Sequence, residues 1–196
     1  VMATVVLAGL MYISCELYID DVLVFGQDEK SFIANLRAIF TRFRKYKVTL
    51  NPKKCKLGML SIEYVGHVLS EEGITFSKEK REKVLEFPIP QRMKELSGFL
   101  GLVNYFRDHI SDMSGKVKPF RKMVISYEKN KKVEWTPELE ETFFKIRDEI
   151  GNCPSLFFVD ENAPIIVMTD ASDYGIGAYI YQTIDNKEKP IVFMSK

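Results

Sequence analysis

Two adjacent carboxylates, Asp20 and Asp21, stand between the apolar runs Leu17-Tyr18-Ile19 and Val22-Leu23-Val24-Phe25. Runs rich in β-branched and aromatic residues on either side of a short polar break read as the strands of a hairpin, with the acidic pair at its tip. A two-residue hairpin turn favours Asn-Gly or Asp-Gly, because its central residues need positive φ, and Asp-Asp meets that need poorly. Two carboxylates about 4 Å apart also repel by roughly 4 kcal/mol at an effective dielectric of about 20. A local rule broken without visible compensation marks a place where function is expected. A divalent cation supplies the compensation, and oxygen ligands suit Mg²⁺. Taken alone, the pair reads equally as an ordinary exposed acidic turn.

Charge along the chain sharpens the choice. Residues 1–29 carry five acidic groups and no basic one, whereas Lys30 to Lys56 holds nine basic residues and no acidic one. Residues 91–132 are again basic, ten against four, and residues 133–196 are acidic, twelve against five. An acidic tip followed by a basic stripe suits a metal-dependent enzyme acting on a polyphosphate strand. For any single Lys or Arg, a solvated helix face is the simpler reading.

Several elements must position these groups. Gly26 ends the second strand, Asp28 is placed to cap a helix, and Phe32, Ile33, Leu36, Ile39, Phe40 and Phe43 recur at helical spacing. Pro52 and Gly58 punctuate the next stretch. Leu60, Ile62, Tyr64, Val65 and Val68 predict a second hairpin ending at Glu71-Glu72-Gly73. Pro88-Ile89-Pro90 reads as a linker, since each proline disfavours helix in the residue before it. Met93, Leu96, Leu100, Val103, Phe106 and Ile110 mark one face of a helix, and short helices are expected between Ser111 and Tyr127. Thr136 and Pro137 are placed as cap and first position of a helix running to Gly151. Four strand-like runs complete the chain: Leu156–Val159, Ile165–Thr169, Gly177–Tyr181 and Ile191–Met194.

At 196 residues with 46% hydrophobic and 28% charged content, the composition is that of a folded globular chain. Cys15, Cys55 and Cys153 are odd in number and lack metal-type spacing, so reduced thiols in an intracellular protein are expected, with neither disulfide nor zinc. The uncharged stretch from Val1 to Cys15 falls short of the ~20 residues that span a bilayer and lacks the basic region of a signal peptide. A buried helix is expected there, one that the chain enters partway as a piece of a longer polypeptide.

The ordered set of motifs resembles a known family. Tyr18-Ile19-Asp20-Asp21 is similar to the palm motif of reverse transcriptases, and the chain downstream of it resembles the Ty3/gypsy class of LTR retrotransposon Pol polyproteins. Leu50-Asn51-Pro52-Lys53-Lys54-Cys55, Tyr64-Val65-Gly66-His67 with Glu72-Gly73-Ile74, and Glu95-Leu96 with Phe99-Leu100-Gly101-Leu102 and Asn104-Tyr105-Phe106-Arg107 match its segments in order. Thr169-Asp170-Ala171-Ser172, with Gly175, Gly177 and Gln182, resembles the opening strands of its ribonuclease H-like domain. The resemblance implies an α+β chain in four parts. These are the C-terminal part of a palm (1–77), a helical thumb (78–127), a connection segment (128–155) and the start of a ribonuclease H-like domain (156–196).

It also implies RNA-directed DNA synthesis by two-metal nucleotidyl transfer onto a primer 3′-hydroxyl, with ribonuclease H cleavage by the same parent. Mg²⁺ or Mn²⁺ is the cofactor. The partners are an RNA or DNA template–primer duplex, deoxynucleoside triphosphates and the rest of the Pol polyprotein, in the cytoplasm, a virus-like particle or the nucleus and without a membrane. Asp20 and Asp21 carry over as two of three palm carboxylates, the third being expected upstream. Side chains alternate along a strand, so Asp20 is expected as the principal ligand, Asp21 as the weaker one, and Tyr18 on the face of Asp20 near the templated base pair. Tyr64, Val65, Gly66 and His67 carry over as the hairpin that grips the primer's terminal phosphate. Lys53 and Lys54 (and Lys56 beside them) are phosphate contacts, and Gly98, Gly101, Asn104, Tyr105 and Arg107 follow the duplex from the thumb helix. Asp170 carries over as the first metal ligand of the nuclease, whose other ligands are expected beyond Lys196. The isolated chain is therefore expected to be inactive at both sites.

The alternatives are simple packing for Tyr18, a structural histidine for His67, and close helix–helix packing for the two glycines. The family commonly has Ser or Thr at Gln91, His at Asn35, two tyrosines at Tyr105-Phe106 and a basic residue at Asp108, departures that fit a diverged copy. A phosphoacceptor receiver domain fits poorly, because Val22–Phe25 continues as strand and no third aspartate ends a strand about forty residues later. A non-catalytic nucleic-acid-binding or relic fragment is the remaining competitor.

Overall fold

The acidic tip is the end of a short antiparallel hairpin, β1 (Cys15–Tyr18) with β2 (Asp21–Val24), in the register Cys15↔Val24 and Tyr18↔Asp21. The computed structural model describes residues 5–125, 131–173 and 175–196. They fall into two units, Val1–Val65 and Gly66–Lys196.

In the first unit, helix α1 (Glu29–Lys45) follows the hairpin. Asp28 caps it as predicted: its carboxylate accepts from the Ser31 amide at 2.7 Å, while Ser31 Oγ accepts from the Asp28 amide at 3.0 Å. Ile39 and Phe43 are buried, whereas Ile33 and Phe40 of the predicted stripe stay exposed. The buried pair packs with Val6, Leu7 and Cys15, and Leu17, Val22 and Val24 of the hairpin close this small core. The buried helix expected from Val1 to Cys15 is corrected. Of its described residues only Val5 and Val6 are helical, and successive turns follow, with positive φ at Gly9 (79°) and Tyr12 (66°). Apolar content forecast burial, but Val5, Tyr12 and Ile13 are exposed. β3 (Ser61–Tyr64) ends the unit's regular structure, with Leu60 left outside it and 94% exposed.

In the second unit β4 (His67–Ser70) and β5 (Gly73–Phe76) form an antiparallel hairpin. Helix α2 (Lys78–Leu85) follows. β5 and α2 both escaped the sequence reading, since Lys-Glu-Lys-Arg-Glu-Lys offers no apolar stripe and only Val84 of this helix is buried. Pro88-Ile89-Pro90 is indeed without regular structure. α3 (Met93–Asn104) buries Met93, Leu96, Phe99 and Val103. It ends six residues short of Ile110, and a 3-10 turn takes over at Arg107–His109. Glu95 caps it by reaching back to the amides of Gln91 (2.7 Å) and Arg92 (3.2 Å). The N-cap is Arg92, one residue past Gln91, and Glu95 at N3 supplies these capping bonds.

One helix, α4 (Met113–Ile125), replaces the short helices expected before Tyr127. Residues 126 and 127, and the expected boundary at 127/128, lie outside the described residues. α5 (Pro137–Gly151) starts at Thr136, whose hydroxyl accepts from the Leu139 amide. Phe76, Phe99, Phe106, Phe120, Phe143, Ile146 and Ile150 form one core around which these helices pack. Each such side chain contributes about 1.5–3 kcal/mol on full burial.

The strand expected at Leu156–Val159 is corrected to a single bridge, Leu156 with Ile74, and the Phe157 amide instead donates to the Pro190 carbonyl at 2.7 Å. The chain then forms an antiparallel sheet in the order β6 (Ile165–Ser172), β7 (Gly175–Ile184), β8 (Lys187–Ser195). Gln182 is buried, and its amide is satisfied by Asp160 N, Asp160 O and Ala163 O, pinning the preceding loop to β7. Cys15 and Cys153 are buried and Cys55 is exposed, each as a free thiol. Among the described residues no helix is long and apolar enough to cross a membrane.

Candidate functional site

The register Tyr18↔Asp21 leaves Ile19 and Asp20 as the two turn residues. Asp21 therefore opens β2, and the turn is not Asp-Asp but Ile-Asp. Ile19 has φ 57°, as the first central position of a type II′ turn requires. A β-branched residue in that region is strained by roughly 1–2 kcal/mol. The expectation that Tyr18 shares a face with Asp20 is corrected. Strand alternation stops at the turn, and cross-strand partners lie on one face, so Tyr18 stands beside Asp21. Tyr18, Ile19, Asp20 and Asp21 are all exposed. Among the described residues, no Lys, Arg or His forms an ion pair with either aspartate.

The hairpin is braced from behind. The Ser14 hydroxyl donates to Asn35 Oδ1 at 3.0 Å, and Asn35 Nδ2 donates to the Phe25 carbonyl at 2.8 Å. Asn35, a departure from the family pattern, thus ties α1 to the base of the hairpin. Tyr64 lies near enough to feel this acidic region: burial raises its hydroxyl pKa, and the charges of Glu16 and Asp21 raise it further. Lys53 and Lys54 occupy an exposed turn organised by Asn51, whose carbonyl accepts from the Lys54 amide and whose side chain accepts from the Lys53 amide.

In the second unit Gly66 has φ 76°, and the preceding Val65 also lies at positive φ, 48°. A Cβ at Gly66 would overlap the Lys80 ammonium and the Tyr105 hydroxyl, so only glycine fits. The Tyr105 hydroxyl lies 3.2 Å from His67 Nδ1. His67 also packs 4.9 Å from the Phe76 ring and stacks at 6.2 Å on His109. Gly98 and Gly101 lie one turn apart on the exposed side of α3, and among the described residues a Cβ at either would meet nothing within 4 Å. Asn104 is exposed at the end of the same helix. Arg107 lies past that end, where Nη2 donates to the Ser195 carbonyl at 2.9 Å. Asp170 falls within β6, exposed, opposite Gly177. Sequence reasoning missed Lys80, one cation in a run of charges, and the strain at Ile19, which only the register exposes.

Two carboxylates side by side fit part of a metal-ligand set. Among the described residues, no group of three or more His, Cys, Asp or Glu is arranged to hold a metal.

Residues 2–69 match the reverse transcriptase (RNA-dependent DNA polymerase) family, and residues 135–196 match the RNase H-like domain found in reverse transcriptase. The retrovirus-related Pol polyprotein from transposon 412 of Drosophila melanogaster is 27% identical over 195 residues. The transposon Tf2-3 polyprotein of Schizosaccharomyces pombe is 29% identical over 179 residues. The chain is covered at 100% and 91% in these comparisons, and it spans 16% and 13% of the two relatives' length. Among solved structures, the foamy viral protease-reverse transcriptase dRH in complex with double-stranded DNA superposes with TM-score 0.79 at 22% identity, covering 99% of this chain and 33% of that one. The foamy viral protease-reverse transcriptase in complex with RNA/DNA hybrid gives TM-score 0.76 at 22% identity over 100% of this chain and 26% of that one. An acidic turn on a mixed helix-and-sheet fold is thus joined by two matches in chain order, to reverse transcriptase over residues 2–69 and to the RNase H-like domain found in reverse transcriptase over residues 135–196, in a chain similar to retrotransposon Pol polyproteins.

Proposed function

We propose that this chain serves RNA-directed DNA synthesis within a longer Pol polyprotein, in keeping with the 16% and 13% of its relatives' length that it spans. Residues 1–77 would be palm, 78–127 thumb, 128–155 connection and 156–196 the start of the nuclease. One observation carries the reading: an exposed, strained hairpin presents Asp20 and Asp21 with no basic partner among the described residues. Asp20 and Asp21 would hold Mg²⁺ or Mn²⁺ together with a carboxylate from elsewhere in the polyprotein. Divalent metal held there would lower the pKa of a primer hydroxyl and neutralise charge on an incoming deoxynucleoside triphosphate. Tyr18, beside Asp21, would pack near the templated base pair. Lys53 and Lys54 would contact template–primer phosphates, Gly66 and His67 the primer end, and Gly98, Gly101, Asn104 and Tyr105 the duplex groove. Arg107 would position the 3-10 turn rather than meet the duplex directly. Asp170, left uncovered by Gly177, would be one metal ligand of the nuclease.

A second reading, nucleic-acid binding without catalysis, draws on the absence of a three-ligand group among the described residues. Titration calorimetry with Mn²⁺, with and without an RNA–DNA hybrid, separates the two. The first reading expects weak metal binding that strengthens with hybrid and vanishes in Asp20→Asn/Asp21→Asn. Hybrid binding indifferent to metal and to both substitutions would favour the second. Template-dependent primer extension by this chain alone would refute its proposed dependence on an additional carboxylate.

A further inference from the structure

Three lysines of α2 lie in a row of charges, but they differ in their surroundings. Lys78 and Lys83 pair with Glu82 and Glu79 along the helix at 3.5 and 2.6 Å. Lys80 is half-buried, and among the described residues no carboxylate forms an ion pair with it. Its Nζ lies 4.1 Å from the centroid of the Tyr105 ring. A Cβ on Gly66 would overlap this ammonium and approach Lys80 Cε to 2.6 Å. An ammonium, a glycine backbone free of side chain and a tyrosine hydroxyl thus meet at one point.

We propose that Lys80 is a phosphate-binding residue, and that its ammonium, held between the Gly66 backbone and the Tyr105 ring, forms a subsite for one phosphodiester of the primer strand. The inference rests on the reading of residues 64–67 as the primer-gripping hairpin, and it names the charge that hairpin lacks. An ammonium held against an aromatic face sheds part of its water and keeps its donors for an anion. With no Cβ at residue 66, the ammonium lies directly against the backbone there.

The test uses the whole 196-residue chain and a fluorescent RNA template–DNA primer duplex, read by anisotropy across a salt series. Lys80→Gln and Lys80→Met should weaken binding about tenfold and lower the salt slope by about one, and Lys80→Arg should restore most of both. Uncharged methylphosphonate linkages walked along the primer's 3′ end give the sharper readout. One position should weaken the wild-type complex and leave the Lys80→Gln complex unaffected. This comparison is made within each protein, so it does not depend on any change in stability. Duplex binding that ignores Lys80→Gln, or methylphosphonate losses equal in both proteins, would overturn the subsite and leave duplex binding standing. A wild-type chain that binds no duplex would overturn the underlying reading, and the subsite with it.

Discussion

Replacing Ile19 by glycine should stabilise the chain, although glycine usually destabilises. Ile19 holds φ 57° and is 77% exposed, so its side chain contributes little burial and its backbone is strained. Relief of left-handed strain returns roughly 1–2 kcal/mol. Glycine's extra freedom in the unfolded chain costs about 0.5–1 kcal/mol. The balance is a gain of about 0.5–1 kcal/mol for Ile19→Gly. Ile19→Ala keeps a Cβ in the same region and should gain nothing. Urea titration of both variants checks this, with the midpoint moving at constant slope. If Ile19→Gly unfolds at lower urea than Ile19→Ala, the turn is not strained as described. In the setting of a complete polymerase the same glycine should reduce synthesis, since it loosens the placement of Asp20 and Asp21.

His109 sets a second expectation. It is buried, with Nδ1 2.9 Å from the Pro154 carbonyl. Burial lowers its pKa most; His67 and Arg81 lower it further, and the Pro154 bond and Asp108 pull the other way. Above pH of about 6.5 both folded and unfolded imidazoles are neutral and stability is complete; as pH falls, the unfolded chain takes the proton first and stability drops, by up to about 1.4 kcal/mol per pH unit, until the folded pKa is passed. Denaturation midpoints from pH 7.5 to 5 should show this slope, and His109→Phe should flatten it. For α3, Gly98→Ala should add about 0.5–1 kcal/mol of stability. Gly101→Leu should weaken duplex binding without lowering the melting temperature, and a matched loss of both would assign that glycine to packing.

Where one signal sufficed, sequence and structure coincide. Asp28, Thr136 and Pro137 mark their helix starts through local chemistry, and the apolar runs on either side of the acidic pair mark the hairpin. The face shared by Tyr18 and Asp21 was not legible, because it depends on a register that two adjacent aspartates leave open. α2 was invisible because its residues are almost all charged and its burial rests on Val84. Leu156–Val159 looked like a strand by composition, yet it has only the partner bonds of Leu156 with Ile74. Lys80 could be counted in the sequence. Its place under Gly66 and over Tyr105 arises only when β4, α2 and the end of α3 meet.

Ser195 near the end of β8 receives three bonds at once: Arg107 and the Ser114 hydroxyl to its carbonyl, and the Ser114 amide to its own hydroxyl. This rivets the strand to the 3-10 turn and to the first turn of α4. Any tilt of those helical segments must drag the sheet bearing Asp170 along with it. Under the roles proposed above, the distance between the place where a strand would be held and the place where it would be cut would then behave as a fixed ruler.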